Sequence, residues 1–212
     1  YSKNNGLQNQ SVVYIQKGLE GTPEVFLDPN TLSADGTAAL AGMSFSRDHK
    51  LCAYNVARAG SDWNEIHVMD VATRKELTND RLEWVKFSGA SWFKDGFFYS
   101  RYDKPQGSNV FSSQNNSHKV YYHKIGTQQA ADKLIFDDPE HPKRYHGASV
   151  TEDERYLILY ISDGASDGNR VFYKDLTKNE TEWSILWEDM AYEFSVIDNA
   201  GSHFLVNTNY KA

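Results

Sequence analysis

An acid-bearing turn recurs along this chain, and the recurrence limits the folds open to it more than any other feature. The turns read Ser46-Arg47-Asp48-His49, Phe93-Lys94-Asp95-Gly96, Thr151-Glu152-Asp153-Glu154 and Asp198-Asn199-Ala200-Gly201. Their acidic residues at 48, 95, 153 and 198 stand 47, 58 and 45 residues apart. Behind each turn comes a run of β-formers: Leu51 to Val56, Phe97 to Tyr102, Tyr156 to Ser162 and His203 to Asn207. Such runs, alternating or continuously apolar, are the mark of strands. In the first three units a second strand is expected after a polar loop, over Ile66 to Val71, Val120 to Ile125 and Val171 to Leu176. A short outer strand is expected beyond each, near Glu76-Leu77, Lys133-Leu134-Ile135 and Ser184-Ile185-Leu186. An earlier copy shows Val12-Val13-Tyr14-Ile15 and then Val25-Phe26-Leu27.

Sequential antiparallel strands repeating at roughly 40–50 residues are how a β-propeller looks in sequence. One blade is too small to hide both of its faces, so blades stack around an axis and bury aromatic faces between them. A β-sandwich with evenly spaced turns is the competing reading; the recurring order of turn, strand, loop and strand favours the propeller. At this period the 212 residues hold about four four-stranded antiparallel blades and a little more. The fold expected is therefore all-β, with residues 1–212 forming part of a β-propeller left open as an arc. Bare strand edges and uncovered apolar faces should follow. Such an arc is expected to belong to a longer protein, and alone it should be marginal or pair with a second copy.

Composition narrows the function. The chain carries a formal net charge of −7, with no basic run longer than Lys143-Arg144, so no nucleic-acid partner is expected. No apolar stretch approaches the ~20 residues of a membrane span. A single cysteine, Cys52, permits neither an internal disulfide nor a thiolate zinc cluster and suits a reducing compartment. The chain opens on Tyr1-Ser2-Lys3 without the features of a targeting segment, so any such segment is expected to be missing from it. A cytoplasmic location is expected, with the periplasm of a bacterium as the alternative.

Several stretches carry a more specific signal. They are Asn4-Asn5-Gly6-Leu7-Gln8-Asn9-Gln10-Ser11-Val12, Leu19-Glu20-Gly21, Val25-Phe26-Leu27-Asp28-Pro29-Asn30 and Ser33-Ala34-Asp35-Gly36-Thr37-Ala38-Ala39-Leu40. Gly60-Ser61-Asp62-Trp63, Val85-Lys86-Phe87-Ser88 and Lys119-Val120-Tyr121-Tyr122-His123 follow in order. Together they resemble the opening propeller blades of the prolyl oligopeptidase family, over essentially the whole chain. That resemblance implies a two-domain serine peptidase cleaving short peptides on the carboxyl side of proline. In it a seven-bladed propeller covers an α/β-hydrolase domain that carries a Ser-Asp-His triad and is built from both chain ends. This chain would supply part of the propeller, a substrate-gating lid without catalytic residues of its own. The resemblance implies no cofactor; the partners it implies are a proline-containing oligopeptide and the hydrolase domain of the same protein. A freestanding β-propeller that binds other proteins is the alternative.

One match to the G-x-S-x-G nucleophile turn exists, Gly164-Ala165-Ser166-Asp167-Gly168. It lies between two expected strands of one blade with no helical pattern after it, so Ser166 is read as a loop residue. Asp163, Ala165 and Asp167 alternate like a calcium loop, but Ala165 cannot ligate and no matching Glu follows. His118 and His123, five apart, should point to opposite faces of a strand. His141 and His146 lack a shared spacing, and His67 and His123 occupy equivalent strand positions that suit packing; no metal site is expected. Asp48, Asp95 and Asp153 are read as turn formers, and Glu152-Asp153-Glu154 as a solvated acidic turn. The sequons at Asn9, Asn115 and Asn179 are read as chance matches. By resemblance, Phe87 matches an aromatic lining the subsite two residues before the scissile proline, and Tyr145 falls where the family often has an apolar residue in that subsite. The mammalian members place an arginine that binds a substrate carbonyl, and a cysteine three residues later, where this chain has Ser162 and Ala165. This loop therefore offers no charged donor at those positions.

Overall fold

The recurrent aspartates fold their own turns. In the computed structural model, which describes residues 1–58, 60–104, 115–178 and 180–212, the Ser46 hydroxyl donates to Asp48 Oδ1 at 2.7 Å and the same oxygen accepts the Lys50 N–H at 3.1 Å. Thr151 and Arg155 repeat the pattern on Asp153 at 2.9 and 3.0 Å. The chain then reverses through a left-handed residue, His49 at φ +56° and Glu154 at φ +58°. The next hairpin turns on Lys94, at φ +49°, before Gly96. A Cβ on Gly96 would lie 2.0 Å from the His123 carbonyl oxygen, so the close approach of the neighbouring strand demands glycine there. The fourth reversal falls later than the sequence suggests. Asp198 lies inside a strand, where it accepts the Glu152 N–H at 3.1 Å, and the turn follows Ala200.

Four antiparallel sheets result, the eight-stranded one dividing into two blades, here sheets II and III. Sheet I joins β1 (Ser2–Lys3), β2 (Val12–Ile15) and β3 (Glu24–Leu27); sheet II runs β4 (Ala39–Phe45), β5 (Leu51–Ala57), β6 (Asn64–Asp70) and β7 (Leu82–Val85). Sheet III comprises β8 (Ser91–Phe93), β9 (Gly96–Arg101), β10 (Lys119–Lys124) and β11 (Lys133–Phe136). Sheet IV holds β12 (Tyr145–Val150), β13 (Tyr156–Ser162), β14 (Asn169–Asp175) and β15 (Ser184–Trp187), and sheet V pairs β16 (Phe194–Ala200) with β17 (His203–Thr208). Within each sheet neighbours in sequence are neighbours in space. Sheets II and III also touch edge to edge through one pairing, Val85 opposite Arg101.

Each sheet packs its face on the next. Val13 and Phe26 of sheet I meet Cys52, Tyr54, Val56 and Met69 of sheet II. Ile66, Val68, Leu82 and Val85 meet Trp92, Phe97, Tyr99 and Tyr121 of sheet III. Val120 and Phe136 meet Leu159 and Ile161 of sheet IV, whose Tyr156 and Ile158 meet Phe194, Val196 and Phe204 of sheet V. This face-to-face succession explains why β5, β9 and β13 are buried along most of their length. In β17, whose second face nothing covers, burial alternates instead, leaving Leu205 60% exposed. At the other end of the arc Val25 and Phe45 are exposed.

The first strands of the sheets lie innermost. The Ser44 hydroxyl donates to the Ala90 carbonyl at 2.9 Å, and Val150 N–H donates to the Ser91 hydroxyl at 2.9 Å, linking β4, the approach to β8, and β12. Their turns converge: Arg47 steps over the turn of sheet III to reach Glu152 at 2.5 Å and the Thr151 carbonyl at 3.1 Å. Glu152 stays 77% exposed, the solvated turn residue expected, and meets Arg47 there. Blades stacked radially about an axis satisfy these contacts; two face-packed sheets do not. The arrangement is an open β-propeller arc, with three whole four-stranded blades between a three-stranded and a two-stranded sheet.

Two strand expectations need correction. The segment near Glu76-Leu77 makes a single bridge, Met69 opposite Glu76, and the fourth strand of sheet II is β7. The inner strands β4 and β12 went unanticipated because Ala39, Ala41, Gly42, Gly147 and Ala148 give them small-residue stretches that do not read as β-formers. β8 is only three residues long, and β16 carries the β-formers Phe194, Val196 and Ile197, a signal that sequence reasoning missed. Asn179 lies outside the described residues.

Candidate functional site

The end of the arc opposite the converging turns gathers the residues singled out in sequence. β12 begins at Tyr145 directly opposite Ser162, the last residue of β13. β13 hands over to β14 through the loop 163–168, which is turned by the Asp163 carboxylate accepting the Ala165 N–H at 3.0 Å. From the other side, β7 runs out into Lys86 and Phe87. Phe87 adopts φ +54°, unusual for a bulky residue, and its ring is 60% exposed. The rings of Phe87 and Tyr145 meet edge to face, centroids 5.0 Å apart at 66°. Two aromatics from sheets that share no strand are thereby brought together beside the Ser162 and Ala165 loop.

A cavity of about 580 Å³ opens next to them, lined by residues 141–145 and by Asp163, Gly164 and Ala165. Its charges are largely internally matched. Asp138 accepts from His141 at 2.9 Å and from Arg144 at 3.3 Å; burial would raise its pKa, and these two bonds hold it below the usual carboxylate value. The Ser166 hydroxyl, foremost, keeps Asp163 low as well, so Ser166 serves the loop. A Cβ on Gly168 would sit 2.0 Å from the Tyr192 carbonyl oxygen, which explains the second glycine of the nucleophile-like match without any catalytic role. No helix follows it. The site offers apolar and aromatic surface with a phenol at its edge. Such a surface is equipped to bind an apolar side chain.

Sequence reasoning missed two neighbours. Lys86, mostly buried, holds its ammonium 5.3 Å from the Trp63 and Phe87 ring centroids and pairs with Asp62 at 3.4 Å. Trp63 in turn stands edge to face with Trp84 at 5.7 Å. The aromatics at strand ends, half-buried Trp63 and Trp84 and exposed Phe87, were the available signal.

The histidines go elsewhere. His118 and His123 leave on opposite sides, as their spacing indicates. His123 is fully buried between Asp80 (3.0 Å) and Asp132 (2.7 Å), and Tyr99 donates to Asp132 at 2.6 Å. Burial alone would push its pKa down; Asp132 and Asp80 on the two ring nitrogens override this and raise it. His67 lies in like manner between Glu65 and Glu76. In both cases the second acid follows the histidine by nine residues, a spacing the sequence displayed. Both histidines are pinned by carboxylates on their two ring nitrogens, more than the packing residues expected. His141 stays on Asp138, and His146 is buried against His118. Among the described residues no group of three or more His, Cys, Asp or Glu side chains is placed to hold a metal.

The arc of blades defines the class: a β-propeller domain, whose loop end presents apolar and aromatic surface. Residues 1–212 match the family described as prolyl oligopeptidase, N-terminal beta-propeller domain. The chain is 45% identical, along its whole length, to a prolyl endopeptidase of Elizabethkingia meningoseptica, and covers 30% of that protein. It is 37% identical over 99% of its length to prolyl oligopeptidase A of Amanita bisporigera, covering 31% of it. Among solved structures, it superposes at TM-score 0.86 and 32% identity on prolyl oligopeptidase B from Galerina marginata bound to a 35mer hydrolysis and macrocyclization substrate, covering 100% of this chain and 32% of that one. A chain from a structural study of two prolyl endopeptidases gives TM-score 0.86 at 34% identity, with 100% and 30% covered. This chain belongs to the prolyl oligopeptidase family, as its N-terminal β-propeller portion. It spans about a third of the length of the relatives it matches.

Proposed function

We propose that this chain is the substrate-gating lid of a serine-type prolyl endopeptidase that cleaves short peptides after proline. The α/β-hydrolase domain with the Ser-Asp-His triad then lies in the part of the protein outside these residues. The observation that carries this reading is the whole-length match to the propeller of prolyl peptidases, with coverage of only about a third of them. A radial array of blades admits an extended peptide and rejects a folded chain on size alone. The loop end adds contacts: Phe87 and Tyr145 receive the side chain two residues before the proline, and Ser162 and Ala165 bound it with small side chains. An aromatic contact of this kind contributes about 0.5–1.5 kcal/mol beyond burial.

The test compares the purified 1–212 segment with the full-length protein on a proline-containing tetrapeptide. The full-length protein should turn over and be blocked by a serine-directed fluorophosphonate, while the segment should show no turnover. Hydrolysis by the segment would overturn the division of labour.

A further inference from the structure

Phe87 and Tyr145 belong to different blades, so their 5.0 Å separation has to be fixed by something between them. His118 occupies that place. It is fully buried just before β10, with its ring 4.6 Å from that of Tyr102. Its Nε2–H donates to the Lys86 carbonyl at 2.9 Å. Its Nδ1 accepts the backbone N–H of His146 at 2.9 Å. His146 returns the contact, donating from Nδ1 to the His118 carbonyl at 2.5 Å. One imidazole therefore ties the residue before Phe87 to the residue after Tyr145.

The chemistry fixes the ring state. With an acceptor opposite Nε2 and a donor opposite Nδ1, the neutral Nε2–H tautomer alone satisfies both sides; a protonated ring would point N–H at N–H. Burial, foremost, pushes the His118 pKa down to about 4, keeping that tautomer in place near neutrality. The Lys86 carbonyl belongs to the peptide group that precedes Phe87. Holding it restrains the rotation that gives Phe87 its φ of +54°. Left-handed backbone in a bulky residue persists where surroundings over-determine it.

We infer that His118 is a positioning residue that sets the distance and angle of the Phe87–Tyr145 ring pair, and through it the preference for extended peptides. The inference rests on reading that pair as a peptide subsite. The test uses the full-length protein and two substrates: a short one ending at the residue before proline, and one extended to place an apolar side chain at the ring pair. For H118F, which keeps ring volume and loses both hydrogen bonds, the preference for the extended substrate should fall about five- to tenfold, the loss of a good aromatic contact. The change should appear in KM, with kcat nearly unmoved. F87A should lose the same preference, and the double variant should lose little more.

The outcomes separate. If F87A leaves the preference intact, the subsite reading falls; if F87A abolishes it and H118F does not, the positioning role falls while the subsite stands. Should H118F fail to fold, H118N, which keeps an acceptor near Nδ1 and drops the Lys86 contact, is read in its place. In the unmodified protein ¹⁵N imidazole shifts should report the Nε2–H tautomer down to about pH 5. A ring that titrates at the ordinary histidine value would overturn the inference.

Discussion

Removing the Asp80 carboxylate should open the contact between sheets II and III. Asp80 is buried in the stretch that leads into β7, and its Oδ1 accepts from His123 at 3.0 Å and from the Gly126 N–H at 2.6 Å. Both ring nitrogens of His123 face carboxylates, so the ring carries two protons and a positive charge. Asp80→Ala leaves that charge against Asp132 alone and strands the Gly126 N–H. Breaking a buried ion pair from one side costs about 3–5 kcal/mol. Two lost hydrogen bonds to a charged group, at about 1.5–3 kcal/mol each, give about 3–6 kcal/mol, an overlapping range. Asp80→Asn keeps an acceptor and loses the charge, and should fall well short of that. In the two-domain protein proposed above, a single unfolding midpoint would be a poor measure. Amide hydrogen exchange in β9 and β10 reads the opening locally. For Asp80→Ala those amides should exchange about a hundredfold faster or more, with a smaller effect for Asp80→Asn. Protection unchanged within about threefold would show that the pin contributes nothing.

Acid should loosen the neighbouring contact. A histidine whose folded pKa is depressed contributes stability that is present above its unfolded value of 6.5 and lost as pH falls toward about 4. For His118 that is at most about 3 kcal/mol, so exchange at β12 should accelerate below pH 6.5 and H118F should flatten the slope. Gly168→Ala drives a Cβ into the Tyr192 backbone and should destabilise by about 1–3 kcal/mol, seen as faster amide exchange in β14. Ser166→Ala should leave peptide turnover within about twofold, since loop substitutions away from such features change little; loss of turnover would return Ser166 to consideration as a nucleophile. Cys52, fully buried with its thiol pushed up to about 12 by burial, should resist iodoacetamide until the protein unfolds.

The strands following each turn were legible because Leu51 to Ala57, Gly96 to Arg101 and Tyr156 to Ser162 are covered on both faces and so carry dense apolar and aromatic sequence. The strands entering the turns were not. Crowded near the axis, β4 and β12 use alanine, glycine and serine, whose presence signals close approach as readily as loop, and β8 is only three residues long. β7 hid for another reason. Trp84, at φ +62°, sits where its pairing with β6 shifts register, which breaks the alternation by which a strand is read. For the candidate site, resemblance located Phe87, Tyr145, Ser162 and Ala165, and the structure brings them to one end. What sequence could not carry was their coupling. His118 and Lys86 matter through contacts 28 and 32 residues away along the chain, in directions no local pattern encodes.

The two interfaces flanking sheet III use histidine in opposite ways. Between sheets II and III, His123 is charged, with its pKa raised; its contribution is complete below the unfolded value and lost as pH rises through the folded one. Between sheets III and IV, His118 and His146 are neutral, both pKa values lowered first of all by burial, and their contribution disappears on acidification. Both contributions coexist from near 6.5 up to the raised value of His123. The Phe87–Tyr145 ring pair hangs on the neutral interface. A charged ring there would lose the acceptor that His146 N–H requires, and the spacing of Phe87 and Tyr145 would then drift with pH across the range in which histidines ordinarily titrate. Placing the charged pin one interface away lets it bind blades together without making the geometry of the ring pair depend on a proton.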